Sequence, residues 1–148
     1  MSAHSVLVEW LRDGAEFDLG YDRSHRWTFD SGVVVDASSA PELRGDPNKV
    51  DPEEAFVASI SSCHMLWFLH LAVNAGFVVD SYSDHAVGTM ERDDAGTTWI
   101  TKVDLRPNID WSGDRQPAAA EIDELHHESH RLCFIANSVR SRITVHGS

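Results

Sequence analysis

The 148-residue chain holds two cysteines, Cys63 and Cys133, and both have histidine nearby. His64 follows the first; His126, His127 and His130 precede the second. Thiols and imidazoles in this pattern can do three kinds of chemistry. A peroxidatic pair needs one accessible thiolate, which attacks a peroxide O–O bond and becomes a sulfenic acid. A second thiol then condenses with it to a disulfide. A cysteine nucleophile with an imidazole base can instead run a hydrolase or transferase reaction. Soft ligands at i, i+4 (His126, His130) or i, i+3 (His130, Cys133) can bind zinc, although no CxxC or HExxH pattern is present. Against all three stands the ordinary behaviour of a free cysteine, a small hydrophobe that is commonly buried and inert. The flank Ser59-Ile60-Ser61-Ser62-Cys63-His64 is polar and small for the greasy segment around it, which argues for chemistry. His130 reads as a partner or orienter of Cys133, and His126 and His127 as a solvated helix face.

The composition bounds what such a site can serve. Lys and Arg number 12 against 24 Asp and Glu, a formal net charge of -12. That argues against nucleic acid or an anionic membrane as partner, because both need a cationic face. With 42% hydrophobic and 24% charged residues, the chain reads as an ordinary globular protein of one domain, residues 1–148. Two cysteines are too few for a secreted disulfide scaffold. The start MSAHSVLVEWLRDG has no signal pattern. The longest apolar run, Met65 to Val73, is interrupted by His70 and has about half the roughly 20 residues of a membrane span. The expected location is the cytoplasm.

The elements that must position the cysteines follow from periodicity. Ser5 to Leu11, Arg26 to Phe29 and Gly32 to Asp36 read as strands, and Ala37 to Val50, with Pro41, Gly45 and Pro47, as a long loop. A helix opens at Asp51 as cap, Pro52 as first residue and Glu53 and Glu54 in the positive first turn, and it stops at Gly76. Its residues are apolar or small all round, so it is expected to be buried on every side by sheet and partner. Asp84 to Arg92 and Trp99 to Leu105 form a hairpin about Asp93-Asp94-Ala95-Gly96. Arg106 to Gln116 reads as loop, Pro117 to about Cys133 as a second helix, and Val139 to Val145 as a terminal strand. Clustered strands with two helices make an α+β protein.

Two stretches carry a family resemblance. Asp51-Pro52-Glu53-Glu54-Ala55-Phe56 with Ser61-Ser62-Cys63-His64-Met65 resembles the central-helix motif of the OsmC/Ohr family. His130-Arg131-Leu132-Cys133-Phe134-Ile135-Ala136-Asn137 is similar to that family's second-cysteine motif, although Phe134 stands where the family commonly has Pro. The spacings agree: a Glu ten residues before the first Cys, a His three before the second and an Asn four after it. The resemblance implies an antiparallel sheet wrapped around a long buried central helix in an intertwined homodimer. It further implies a thiol peroxidase that reduces organic hydroperoxides, and hydrogen peroxide more slowly, without metal, flavin or haem. An external dithiol, often a dihydrolipoyl protein, would restore the cysteines. Cys63 then matches the attacking cysteine and Cys133 the resolving one, while Glu53 matches a carboxylate that orients an arginine. Arg23, in Tyr21-Asp22-Arg23-Ser24-His25, is assigned as that arginine, with Arg26 as the alternative. The other readings that remain are a non-catalytic binder of small amphiphiles and a Cys-dependent hydrolase or transferase.

These residue types suit that chemistry. A free thiol of pKa near 8.5 is only a few per cent thiolate at neutral pH. An arginine keeps its charge, favours the thiolate and can hold peroxide oxygens, and a carboxylate fixes its plane through paired hydrogen bonds. The greasy residues Phe56, Trp67, Phe68 and Trp27 would favour an organic peroxide. Glu53 and Cys63 stand about 15 Å apart along one straight helix and cannot meet within it. In a two-fold dimer with antiparallel crossing helices, Glu53 of one copy faces Cys63 of the other when the crossing lies at Ala58. The small residues there, Ser59, Ser61 and Ser62, permit a close approach.

Overall fold

The computed structural model describes residues 1–147. Contacts divide the chain into two compact units, Met1–Ala55 and Phe56 onward. In the first, β1 (Val6–Glu9), β2 (His25–Phe29) and β3 (Val34–Ala37) form an antiparallel meander in that order. Val8 lies opposite Trp27, and Trp27 opposite Val35. Gly32 takes a positive φ of 82° at the β2–β3 turn, a conformation that costs a side chain energy. Val6, Leu7, Val8, Phe29, Val33 and Val34 are exposed, so this small sheet leaves apolar side chains uncovered. The expected loop from Ala37 to Val50 is ordered. It holds a 3-10 turn at Pro41–Leu43, and Val50 returns to bridge Ala37. Gly45 sits so close to the Ser39 carbonyl that an added Cβ would lie 1.5 Å from its oxygen.

Helix α1 spans Pro52–Asn74. It begins as the sequence indicates. The Asp51 carboxylate accepts the Glu54 N–H at 2.7 Å, and Glu54 accepts the Asp51 N–H at 3.2 Å, a reciprocal cap. It ends at Gly76, whose φ is 81°. Burial on every side is not what the chain shows. One stripe, Ile60, His64, Phe68 and Ala72, is buried, each residue four beyond the last. Leu66 and Val73 are 61% and 71% exposed. Within the second unit, strands and the second helix cover one face of α1. By length and composition α1 passes for a membrane span, but its buried stripe forms the core. Phe68 and Ala72 pack with Phe77 and Leu125, and Ile60 packs with Val103 and Leu105.

The second unit holds two further sheets. β4 (Val78–Asp84) pairs with β7 (Pro107–Ser112), and β5 (Val87–Arg92) pairs with β6 (Thr98–Leu105), both antiparallel. β8 (Arg142–Val145) joins β6 in parallel. The hairpin therefore forms as read. The stretch from Arg106, read as loop, instead carries strand β7. The antiparallel pairing implied by the resemblance is present, divided among the described residues into three sheets, one of them mixed because β8 joins in parallel. Helix α2 spans Ala119–Leu132. Ala118 offers no side-chain cap, and Glu121 reaches back to accept its N–H at 2.9 Å. Phe68 is the largest fully buried side chain. Phe68→Ala is expected to cost about 3–5 kcal/mol, as for other buried aromatics cut to alanine. Urea unfolding checks this; a loss under about 1 kcal/mol would show that the core repacks freely.

Candidate active site

Cys63 lies in the middle of α1 and is half-buried. It lines a cleft of about 480 Å³ walled by Leu66, Trp67, Phe134 and Ile135, with Ser59, Ser62 and His70 as polar lining. Trp67 and Phe134 meet edge-on with ring centroids 5.5 Å apart, which joins α1 to the segment after α2. The cleft suits an apolar group held beside a sulfur atom. Phe68, expected near the thiol, faces the core instead. Phe56 packs in the cluster around Ile60.

Cys133 caps the C-terminus of α2 and is 1% exposed. Its N–H donates to the Ser129 carbonyl at 2.9 Å. The chain then turns back: the Ala136 N–H points at the Cys133 sulfur at 3.3 Å, and the Asn137 amide donates to the Cys133 carbonyl at 2.9 Å. Asn137 thus satisfies a carbonyl that the helix leaves open. Burial pushes the Cys133 thiol up to about 11, opposed by the Ala136 N–H, and the influence of the Cys63 thiol is upward. Phe134 and Ile135, which follow Cys133, wall the cleft that Cys63 lines, so residues seventy positions apart are brought to one cleft, and neither cysteine is in a disulfide.

The structure does not pair Arg23 with Glu53. The Arg23 guanidinium donates to the carbonyls of Tyr21 at 2.7 Å and Leu19 at 3.0 Å and lies over the Tyr21 ring. Arg26, the alternative, makes an exposed ion pair with Asp36 at 3.5 Å. Glu53 Oε2 is buried without a hydrogen-bond partner. A buried carboxylate oxygen in that condition is costly.

Sequence reasoning misplaced His126. It is not on a solvated face but is 5% exposed, and its Nδ1 shares a hydrogen bond of 3.0 Å with Nε2 of His64, itself 1% exposed. The signal was present: Ile122, Leu125, His126, Ser129 and Cys133 follow the i, i+3, i+4, i+7 pattern of a buried stripe. Burial, helped by the imidazoles of His126 and His130, pulls the His64 pKa down to about 4. Burial also lowers His126, against the pull of Asp123 and Asp84. His127 and His130 stay exposed and, with Asp123 and Arg142, line a separate cleft of about 400 Å³ between α2 and β8.

The family model for OsmC-like protein matches residues 45–146. The chain belongs to the OsmC-like protein family. A solved structure of an OsmC-like protein of unknown function from Vibrio cholerae is 44% identical, covers 99% of each chain and gives a TM-score of 0.95. An organic hydroperoxide resistance protein from Elizabethkingia anophelis is 18% identical over 98% of this chain and 93% of its own, with a TM-score of 0.73. The organic hydroperoxide resistance protein OhrB of Bacillus subtilis is 20% identical over 97% and 95%, with a TM-score of 0.69. At those identities the last two share the fold. No curated protein matches the chain. The α+β OsmC-like fold read from the sequence is thus the fold observed.

The buried imidazoles make stability depend on pH. An unfolded histidine takes up its proton near 6.5, whereas folded His64 does so at about 4. Between those values the unfolded chain binds more protons, so stability present above 6.5 falls as pH falls. His64 should remove about 3 kcal/mol of unfolding free energy between pH 7 and pH 4. Urea titrations should show a shallower acid loss in His64→Gln; equal slopes would mean that the ring is already solvated.

Proposed function

We propose that the protein is a thiol-dependent peroxidase that reduces organic hydroperoxides. The carrying observation is a free Cys63 thiol lining an apolar cleft whose wall, Phe134 and Ile135, directly follows a second free and buried thiol, Cys133. Cys63 attacks the outer peroxide oxygen; the O–O bond breaks, the alcohol leaves and Cys63 becomes a sulfenic acid. The Cys133 sulfur then attacks the Cys63 sulfur. The S–S bond forms, the S–O bond breaks, and the hydroxyl leaves as water with the thiol proton. An external dithiol, a dihydrolipoyl group among the candidates, reduces the disulfide. The apolar walls of the cleft favour an alkyl peroxide over hydrogen peroxide. Membership of the OsmC-like family and fold likeness to organic hydroperoxide resistance proteins support the same reading.

In this reading Arg23 is the cation that favours the Cys63 thiolate, and Glu53 orients it. Each must change partners: Arg23 from the Leu19 and Tyr21 carbonyls, Glu53 from having no donor on Oε2. The protein works as a homodimer in the cytoplasm. The uncovered apolar side chains of β1 to β3 and of α1 are the support for a second copy, since a small sheet with little buried core does not stand alone. Ala58 is exposed, as a helix crossing there requires.

A second reading, a non-catalytic holder of small amphiphiles, draws on the same apolar cleft. Stopped-flow turnover separates the two. The peroxidase reading expects kcat/KM for tert-butyl hydroperoxide at least tenfold above that for hydrogen peroxide. It expects no turnover in Cys63→Ser, and one oxidation without disulfide in Cys133→Ser. No peroxide consumption, with ligand affinity unchanged in Cys63→Ser, would leave the holder. Sedimentation should give twice 16.5 kDa for the native chain, and Leu66→Asp should shift it toward monomer; a monomeric native chain would end the dimer reading.

A further inference from the structure

Among the described residues, one hydrogen bond joins α1 to α2, between Nε2 of His64 and Nδ1 of His126 at 3.0 Å. The two rings lie nearly parallel, 11° apart with centroids at 5.3 Å, and Phe68 packs against His126 at 4.4 Å. Their outer nitrogens, His64 Nδ1 and His126 Nε2, are buried without partners. Two half-satisfied imidazoles cost more to bury than two apolar side chains would. If filling space were the only demand, Leu or Phe would fill it better. What the pair adds is direction.

Direction matters because of where the sulfurs stand. His126 and Cys133 are seven residues apart on α2, which is two turns, about 10.5 Å along one face. Their partners His64 and Cys63 are neighbours on α1, about 1.5 Å apart along its axis. Helix α2 therefore runs across α1, tied to it at the imidazoles, and ends where the residues after Cys133, Phe134 and Ile135, wall the cleft that Cys63 lines. Phe68 and Ala72 of α1 and Leu125 of α2 also share one apolar core cluster. Such contacts are non-directional and tolerate sliding, whereas an N–H···N bond weakens steeply with distance and angle. A slip or roll of α2 that breaks the imidazole bond carries Cys133 away from Cys63.

We propose that His64 and His126 are a positioning pair, fixing the register of α2 on α1 so that the Cys133 sulfur is held against Cys63 for disulfide closure. The inference rests on the peroxidase reading only in giving that closure a use, since the geometry is independent of peroxide.

The test is the effective concentration of the two thiols. The full chain is equilibrated with reduced and oxidised glutathione at pH 7.5, quenched by alkylation, and the closed fraction is read by intact mass spectrometry. His126→Leu should lower the effective concentration at least tenfold. His126→Phe, which keeps a ring against Phe68 but deletes the bond, should do the same. His126→Gln, whose amide can still bond His64, should return to within threefold of the native chain. A loss of packing alone would move Tm and leave this ratio in place. Folded His126→Leu or His126→Phe within twofold of the native value overturns the proposal, as does a native chain that never closes. A chain inert to peroxide that still loses closure with the bond upholds the pair and ends the peroxidase reading instead.

Discussion

Burial of one thiol beside a cleft that the other lines is the constraint on which this molecule turns. Taken alone, Cys133 is the ordinary inert cysteine: it is sealed at the end of a helix, and loss of hydration favours its neutral form. What separates it from that ordinary case is its neighbour. Cys63 lines a cleft whose wall, Phe134 and Ile135, follows Cys133 directly in the chain, and that cleft reaches the surface. One sulfur opens on a cleft and the other does not, so access separates them before any difference in acidity is invoked.

Keeping that arrangement imposes demands on α1. The helix carries the exposed side of the site on one face and the core on another. Ile60, His64, Phe68 and Ala72 face inward at four-residue spacing, while Leu66 and Val73 project where the single chain has nothing to cover them. The near-absence of an amphipathic pattern in this helix is then intelligible. A helix that is apolar on its exposed side as well as on its buried one shows no single stripe in its sequence. That is why the sequence suggested burial on every side and the isolated chain shows it on one.

Features written in local chemistry were legible. Asp51-Pro52-Glu53-Glu54 and Gly76 bracket α1, and Asp93 to Gly96 marks the hairpin, because caps and turns depend on a few adjacent side chains. The pair β4 and β7 was hidden. Pro107 begins β7, Asp, Ser and Asn dilute both strands, and a register shift between Val79 and Ser81 breaks the alternation that identifies a strand. The parallel course of β8 could not be read, since it depends on how the chain returns after α2. At the site, both cysteines were legible through the motifs. The Arg23 side chain was not, because its partners are loop carbonyls that no spacing rule encodes.

The turn after Cys133 joins these points to reactivity. Phe134 breaks from the helix and packs its ring on Trp67, so one residue both walls the substrate cleft and fixes the backbone beside the second sulfur. That backbone aims the Ala136 N–H at the sulfur and lets Asn137 hold the Cys133 carbonyl. The N–H favours the thiolate, but burial outweighs it, and the resting thiol stays protonated with its pKa near 11. A thiol so rarely ionised is strongly nucleophilic once its proton leaves. In the proposed closure step the departing hydroxyl of a Cys63 sulfenic acid can take that proton as it goes. Under that proposal the second cysteine needs no base of its own: it stays quiet until the first is oxidised, and the oxidation supplies the group that activates it.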